Sequence, residues 1–418
     1  MGGLSVTVVG IGADGWDGLV ASSRAIVTGA EVLLGGERHL DLVPPVEGQE
    51  RRAWPRPMSG LPGFLEQYDG RRIVALASGD PLVSGIGTTL IRLLGPDAVT
   101  VIPAVSSVAL ARARLGWSAE GSEVLTLVGR DVAALRRELS DGRRLLVLSS
   151  DESTPAAVAA LLTESGFGAT VLDLLGDLGG DTESRTTFLA TGPVPDALPR
   201  LHVLGLTVRG GPGSWASGLA DDAFENDGQL TKRDVRASAL SRLAPAPGHL
   251  LWDLGAGAGS VGIEWLRAHP LAEAIAVEAD AERAARIGRN ASALGVPRLR
   301  VVEGSSPDVL DDLPTPHAIF VGGGATAPGL LDLCRERLAP HGRLVVHGVT
   351  LETEALLIAA FHEHGGELTR LSVEHVTPIG GRFTGWTPAR AVTQWTWTSS
   401  GSSSDREERA ANRDGSLS

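Results

Sequence analysis

Residues 250–266 read LLWDLGAGAGSVGIEWL. An apolar run closes on Asp253 and Leu254. Four glycines follow within eight residues (Gly255, Gly257, Gly259, Gly262), and the apolar spacing from Val261 onward predicts a helix to Ala268. Strand, glycine turn and helix in this order form the local pattern of an α/β cofactor loop, because small residues let the backbone close on a ligand at a helix start.

Outward from this stretch the same alternation recurs. Strand-like runs are expected at Leu4–Gly10, Arg72–Ala77, Val99–Ile102, Leu145–Leu148, Ala274–Glu278, Arg300–Val302, Ala318–Val321 and Leu344–Val346. Helical patterns fall between them, for example over Gly85–Leu94, Val105–Arg114, Ala281–Leu294 and Glu352–His364. That order predicts an α/β fold with largely parallel sheets. A second glycine loop, VVGIGADGWDG at 8–18, lies more than 240 residues before Gly255. One sheet rarely needs both, so two cofactor domains in tandem are expected. The bounds read as 1–209 and 221–398, with a turn-rich linker at 210–220 and a polar, low-complexity tail at 399–418 that reads as disordered.

The 418 residues carry a net charge of −13, which argues against a broad nucleic-acid surface. No apolar run is long enough to span a bilayer, and no secretory leader is evident at the start. The lone Cys334 excludes an internal disulfide and a cysteine zinc site, fits a cytoplasmic setting, and lines up with Leu330 and Leu338 as a core position. Of 37 basic side chains only Lys232 is lysine.

Both loops match G-x-G-x-x-G, at Gly10, Gly12, Gly15 and at Gly257, Gly259, Gly262, which by itself suggests dinucleotide binding. The register of the second argues otherwise. Asp253 sits at the strand end and Gly255 already makes the turn, and a carboxylate there repels a pyrophosphate but suits a cofactor with a cationic head. The DLGAGAG string, with Glu278 ending the next strand in AVEAD, resembles the class I methyltransferases that use S-adenosylmethionine (SAM). The resemblance implies that Asp253 meets the ammonium group, that Gly255, Gly257 and Gly259 let the backbone approach, and that Glu278 accepts from the ribose hydroxyls. In the first half, VVGIGADGWDG, GAEVLLGGERHL, ASGDPLVSGIGTTL (77–90) and VIPAVSSVALARARLGWS (101–118) together resemble the tetrapyrrole methylases, a two-lobed fold with SAM in the cleft. Carried over by motif, Gly10, Gly12, Ser78, Gly79, Asp80, Ser106 and Ser107 are the expected contacts. Ala13 stands where proline is common in that family, and Val128 where histidine is expected.

Ahead of the second glycine loop runs DDAFENDGQLTKRDVRASALSRL, and after it EGSSPDVL and IFVGGG. These resemble the decarboxylating precorrin methyltransferases of the cobalamin pathway, and the tetrapyrrole methylase fused in front resembles that pathway's bifunctional family. The resemblance implies two SAM molecules, one per domain. It implies methylation of precorrin-6Y at carbons 5 and 15, loss of the ring C acetate carboxyl as carbon dioxide, and precorrin-8 as product. The second domain would handle carbon 15 and the decarboxylation, the first carbon 5. Three alternatives stand beside this: only the second domain is catalytic and the first a tetrapyrrole-binding module, the chain is a non-catalytic carrier, or, most distantly, it is an NAD oxidoreductase.

A polycarboxylate substrate on an acidic protein needs local cations. Lys232 and Arg236 are the catalytic candidates, with Lys232 as a compact ammonium beside the acetate that leaves. Arg233, and Arg382 in GGRFTGW, are the substrate-binding candidates. Thr231 and Ser306 are placed against SAM by the resemblance, while their plain readings are a helix cap and a turn. Arg233 and Arg236 equally fit a solvated helix face. Trp386 and Trp395 are candidates for macrocycle contact. His362 and His364 diverge on a helix, so no metal is expected. The partner is a small tetrapyrrole, with no nucleic acid and no membrane, and a homo-oligomer is expected.

Overall fold

The computed structural model describes residues 4–400, so the part of the expected tail from 401 onward lies outside the described residues. The chain divides into two compact units, one of residues up to 135 and 139–212, the other of 136–138 and residues from 213 on. Residues 211–220 carry no helix or strand.

In the first unit, β1 (Val6–Ile11), β2 (Val32–Gly35), β3 (Glu50–Ala53), β4 (Ile73–Ser78) and β5 (Val99–Ile102) form a parallel sheet of order β3-β2-β4-β1-β5. Val8, Val9, Ala75 and Leu76 are fully buried, as runs covered on both faces must be. A second sheet follows: β6 (Glu123–Thr126), β7 (Arg144–Leu148), β8 (Val171–Gly176), β9 (Ser184–Leu189) and β10 (His202–Thr207), in the order β6-β7-β10-β8-β9. Only its β6–β7 pair is parallel.

The second unit holds β11 (Leu250–Leu254), β12 (Glu273–Glu278), β13 (Arg300–Glu303), β14 (Ala318–Val321), β15 (Arg343–Gly348), β16 (Glu367–Leu371), the hairpin strands β17 (Glu374–Gly380) and β18 (Phe383–Pro388), and β19 (Val392–Thr398). Its main sheet runs β13-β12-β11-β14-β15-β19-β16. The first five strands are parallel; β19 is antiparallel to both β15 and β16. Apolar clusters cover both faces, one around Trp265 and Phe320, the other around Trp252, Cys334 and Trp395. Burial pushes the Cys334 thiol up to about 12, as befits a core position.

The expectation of largely parallel sheets thus holds for β1–β5 and β11–β15. Of the strands in antiparallel pairs, the sequence announces only β7 and β15. The β9 residues are mostly exposed and β17–β18 nearly all so, which removes the in–out alternation that announces a strand.

Candidate active sites

Each unit contains a cavity at the C-terminal ends of its parallel strands, where open α/β sheets bind ligands.

The cleft of the first unit, about 290 Å³, is lined by residues of both its sheets. Gly12, Ser78, Gly79, Asp80, Ser106 and Ser107 all border it. Asp80 Oδ1 accepts from Leu82 N at 2.9 Å in a local turn on the cleft wall. Ser106 caps the helix Ser107–Leu115, its hydroxyl accepting from Ala109 N at 3.1 Å. Gly10 does not border the cleft. A Cβ there would stand 2.0 Å from the Gly79 carbonyl, so Gly10 serves the crossing of the Ser78–Asp80 loop over β1.

Sequence reasoning missed a cationic corner of this cleft. Arg38 and Arg200 both line it. Arg38 Nη2 donates to Ser78 Oγ at 3.1 Å and reaches His39 Nε2 at 2.8 Å. Burial, then the Arg38 charge, pulls the His39 imidazole down to about 4, so it stands neutral beside the guanidinium. Burial and the neighbouring Arg200 also lower Arg38, while Asp177 opposes them. The Ser149 hydroxyl, at the end of β7, is buried on this wall without a partner. The GGERHL string after β2 was the available signal for Arg38; nothing local marked Arg200.

The cavity of the second unit is far larger, about 1240 Å³. Thr231, Lys232, Arg233, Gly255, Gly257, Glu278 and Ser306 line it. Gly255 has φ +63°, and a Cβ there would stand 2.7 Å from the Gly323 carbonyl; Gly257 has φ +60°, with Gln229 O equally close at 2.8 Å. Only glycine fits either position. Glu278 is nearly buried. Its two carboxylate oxygens accept from Gly257 N at 2.8 Å and Asp280 N at 3.1 Å, which fixes the carboxylate on the wall with lone pairs to spare. The Ser306 hydroxyl is buried and unpartnered there.

Four expected site residues lie elsewhere. Asp253 is only 1% exposed and sits under the glycine loop. Its Oδ2 accepts from Gly262 N at 2.8 Å, its Oδ1 has no partner, and burial pushes it up to about 7. A group sealed there anchors the loop rather than meeting an ammonium head. Gly259 packs against Ile287 at the start of the helix Ser260–Ala268. Arg236 is neither cavity-facing nor solvated. It is wholly buried, its guanidinium bonded to Glu264 (2.6 Å), Asp221 (3.3 Å), Thr231 O (2.5 Å) and Leu219 O, with the Phe224 ring 4.7 Å away. With its donors occupied it positions the Thr231 loop and cannot act on a substrate. Arg382 lies in the β17–β18 turn over Phe383, off the cavity.

Thr231 is not the helix cap. Lys232 holds that position for the helix Arg233–Leu243, and Asp221 accepts from Arg233 N at 3.0 Å in its place. Lys232 itself is exposed, its Nζ 3.8 Å from Asp221. Trp395 is core, donating to Gly365 O, whereas Trp386 is exposed on the hairpin. His364 Nε2 lies 2.9 Å from Arg335. Residues missed here are His347, His375 and Arg390, all lining the cavity. His347, the last but one residue of β15, has Nε2 2.9 Å from Gln394 Oε1, and burial pulls it down to about 4. Its place near a strand's C-terminal end was the usable signal.

Comparison with known proteins fits this two-part layout. The family model for tetrapyrrole (corrin/porphyrin) methylases matches residues 5–173, and that for the precorrin methyltransferase domain matches 222–399. A Sinorhizobium precorrin-6Y C(5,15)-methyltransferase [decarboxylating] is 43% identical, over 94% of this chain and 96% of its own length. A Mycobacterium tuberculosis protein of the same name is 45% identical, over 94% and 99%. A Pyrobaculum calidifontis protein named probable cobalt-precorrin-6B C(15)-methyltransferase (decarboxylating) is 37% identical, over 35% of this chain and 78% of its own. The likeness to the first two runs through both units and nearly the whole of each chain, and the chain belongs to the family of decarboxylating precorrin-6Y C(5,15)-methyltransferases.

Proposed function

We propose that this chain methylates precorrin-6Y at carbons 5 and 15 and removes the ring C acetate carboxyl, using one SAM in each unit. The observation that carries the reading is the pair of separate cavities, each at the mouth of its own parallel strands and each bordered by a glycine loop. Carbon 15 and the decarboxylation are assigned to the second unit and carbon 5 to the first. The short Pyrobaculum relative, whose name joins C(15) methylation to decarboxylation, supports giving both steps to one unit.

The residues fit the cofactor. Glu278 presents a fixed carboxylate suited to a ribose diol, Ser306 an unpartnered hydroxyl, and Gly255 and Gly257 a bare backbone. In the first unit Ser149 offers an orphan hydroxyl beside the Ser106–Ser107 helix start. When bound, SAM supplies an activated methyl on a sulfonium, so the task of the protein is placement of the acceptor carbon in line with it. The chain's acidity makes local cations necessary for a polycarboxylate macrocycle. Arg38 and Arg200 provide them in the first cleft, Lys232 and Arg233, next to Thr231, in the second.

A cytoplasmic setting and a homo-oligomer belong to the same reading. The free, buried Cys334 supports the first, and exposed Ile379, Phe383 and Trp386 on the hairpin support the second. Among the described residues no helix is long and apolar enough to cross a membrane. Titration calorimetry with SAM tests the cofactor count. Two equivalents per chain are expected; one equivalent contradicts a working site in each unit, and none contradicts the enzyme reading.

A further inference from the structure

The cavity of the second unit has two differently built sides. One is the cofactor wall of Gly255, Gly257, Glu278 and Ser306. The other belongs to the antiparallel extension. There Leu371 of β16 pairs with Val392 of β19, and Gln394, two residues along and so on the same face, lies opposite His347 of β15. Val349 and Val373 extend this surface, and Arg390 joins it from the segment between β18 and β19. Its residues that line the cavity are apolar apart from a neutral imidazole, the exposed His375 and one guanidinium. The acids that line the cavity, Asp221, Asp222, Asp234 and Glu278, all lie in the segment 221–234 or on the cofactor wall.

Arg390 is exposed to the cavity, and among the described residues it has neither a hydrogen bond nor an ion pair. Arg283, by contrast, is tied to Asp227 at 2.8 Å and Lys232 stands 3.8 Å from Asp221. An unneutralised guanidinium beside an apolar wall complements a flat, apolar ring with carboxylates at its rim, since the planar fork matches a carboxylate in a bidentate way.

We infer that Arg390 binds a peripheral carboxylate that the substrate keeps, and thereby sets which edge of the macrocycle faces the cofactor wall. This rests on the reading that the second unit decarboxylates a tetrapyrrole. The reason for a kept carboxylate lies in the charge. As the bond between the acetate methylene and its carboxyl carbon breaks, the electron pair passes into the conjugated ring, carbon dioxide leaves uncharged, and the methylene carbon then takes a proton from solvent to become a methyl group. A guanidinium on that carboxylate stabilises the ground state more than the transition state and slows the step. On a carboxylate that stays, the same contact is made equally before and during reaction and serves binding and orientation. The same reasoning moves Lys232 away from the departing acetate, the role its sequence position suggested.

The test uses the full chain with saturating SAM and follows carbon dioxide release from precorrin-6Y in Arg390→Gln and Arg390→Lys. Among the described residues the Arg390 side chain makes no hydrogen bond or ion pair, so both variants are expected to fold. Arg390→Gln should raise KM roughly tenfold or more and leave kcat within about twofold, with Arg390→Lys recovering part of the loss and SAM affinity unchanged in both. An unchanged KM overturns the inference. So does a fall in kcat at constant KM, which places Arg390 in the transition state. A wild-type chain that releases no carbon dioxide overturns instead the reading on which the inference rests.

Discussion

Arg236 and Glu264 form a fully enclosed ion pair, Nε to Oε1 at 2.6 Å, with the two side chains 0% and 2% exposed. Glu264 also accepts from Gly218 N and Leu219 N, and Arg236 donates to Leu219 O and Thr231 O. The pair therefore clamps both ends of the segment 219–231, which forms part of one wall of the larger cavity. Removing one partner strands a buried charge, which typically costs about 3–5 kcal/mol. Arg236→Ala is expected to destabilise the second unit by that order and to weaken SAM binding there through the released Thr231 loop. Urea unfolding read from the second unit's tryptophans checks it; a stability loss below about 1 kcal/mol contradicts the clamp.

Asp253 makes a stability prediction with a definite sign. Its folded carboxyl is raised from the ordinary 3.8 to about 7, first by burial and then by the nearby Glu278 charge, against the Gly262 bond. Between those values the folded chain holds a proton that the unfolded chain has lost, so stability falls as pH rises through that window, by at most about 1.4 kcal/mol per unit. Asp253→Asn removes the titration. Stability measured from pH 4 to 7 should decline less steeply in the variant, while its SAM affinity stays within a few-fold of wild type. Parallel pH slopes, or abolished SAM binding, run against the burial of this group.

Glu278 is the expected site residue whose placement is most direct. Glu278→Gln replaces one acceptor oxygen with an amide that faces a backbone N–H, either Gly257 or Asp280. Loss of a charge-assisted bond of this kind amounts to about 1–3 kcal/mol. Two-site calorimetry should show one SAM site weakened accordingly and the other unaltered. If both sites weaken, or neither does, the assignment fails.

The two halves of the chain were unequally legible. Glycine loops, their strands and Glu278 could be read because each signal is local: a turn needing positive φ at Gly255, a helix start, an acid closing a strand. Arg236 could not. In TKRDVRASAL it has the spacing of a solvated face, and its burial depends on Glu264, 28 residues further on, arriving opposite it. Asp253 was read at the right strand end, but the plane of the loop above it, which seals it off, is a tertiary outcome. Arg390 and His347 become neighbours of the cofactor wall only because β19 turns back antiparallel on β15, and the exposed hairpin before it hides that return from any periodicity.

Arg38 and Arg200 in the smaller cleft are expected to act on the macrocycle, not the cofactor. The Arg200 charge, after burial, lowers the proton affinity of Arg38, and an anion between the two guanidiniums relieves that repulsion. Arg200→Gln should raise KM for methylation at carbon 5 by about tenfold, with SAM stoichiometry and carbon dioxide release unchanged. A loss of SAM binding in that cleft would assign Arg200 to the cofactor instead.

The most direct test of the two-site account is the product itself. The full chain is incubated with precorrin-6Y and SAM carrying an isotopically labelled methyl, and the tetrapyrrole is weighed by mass spectrometry. Two labelled methyls gained and one carbon dioxide lost per macrocycle is the predicted result. A product that stops at one labelled methyl after exhaustive turnover, or one that keeps its acetate carboxyl, contradicts it.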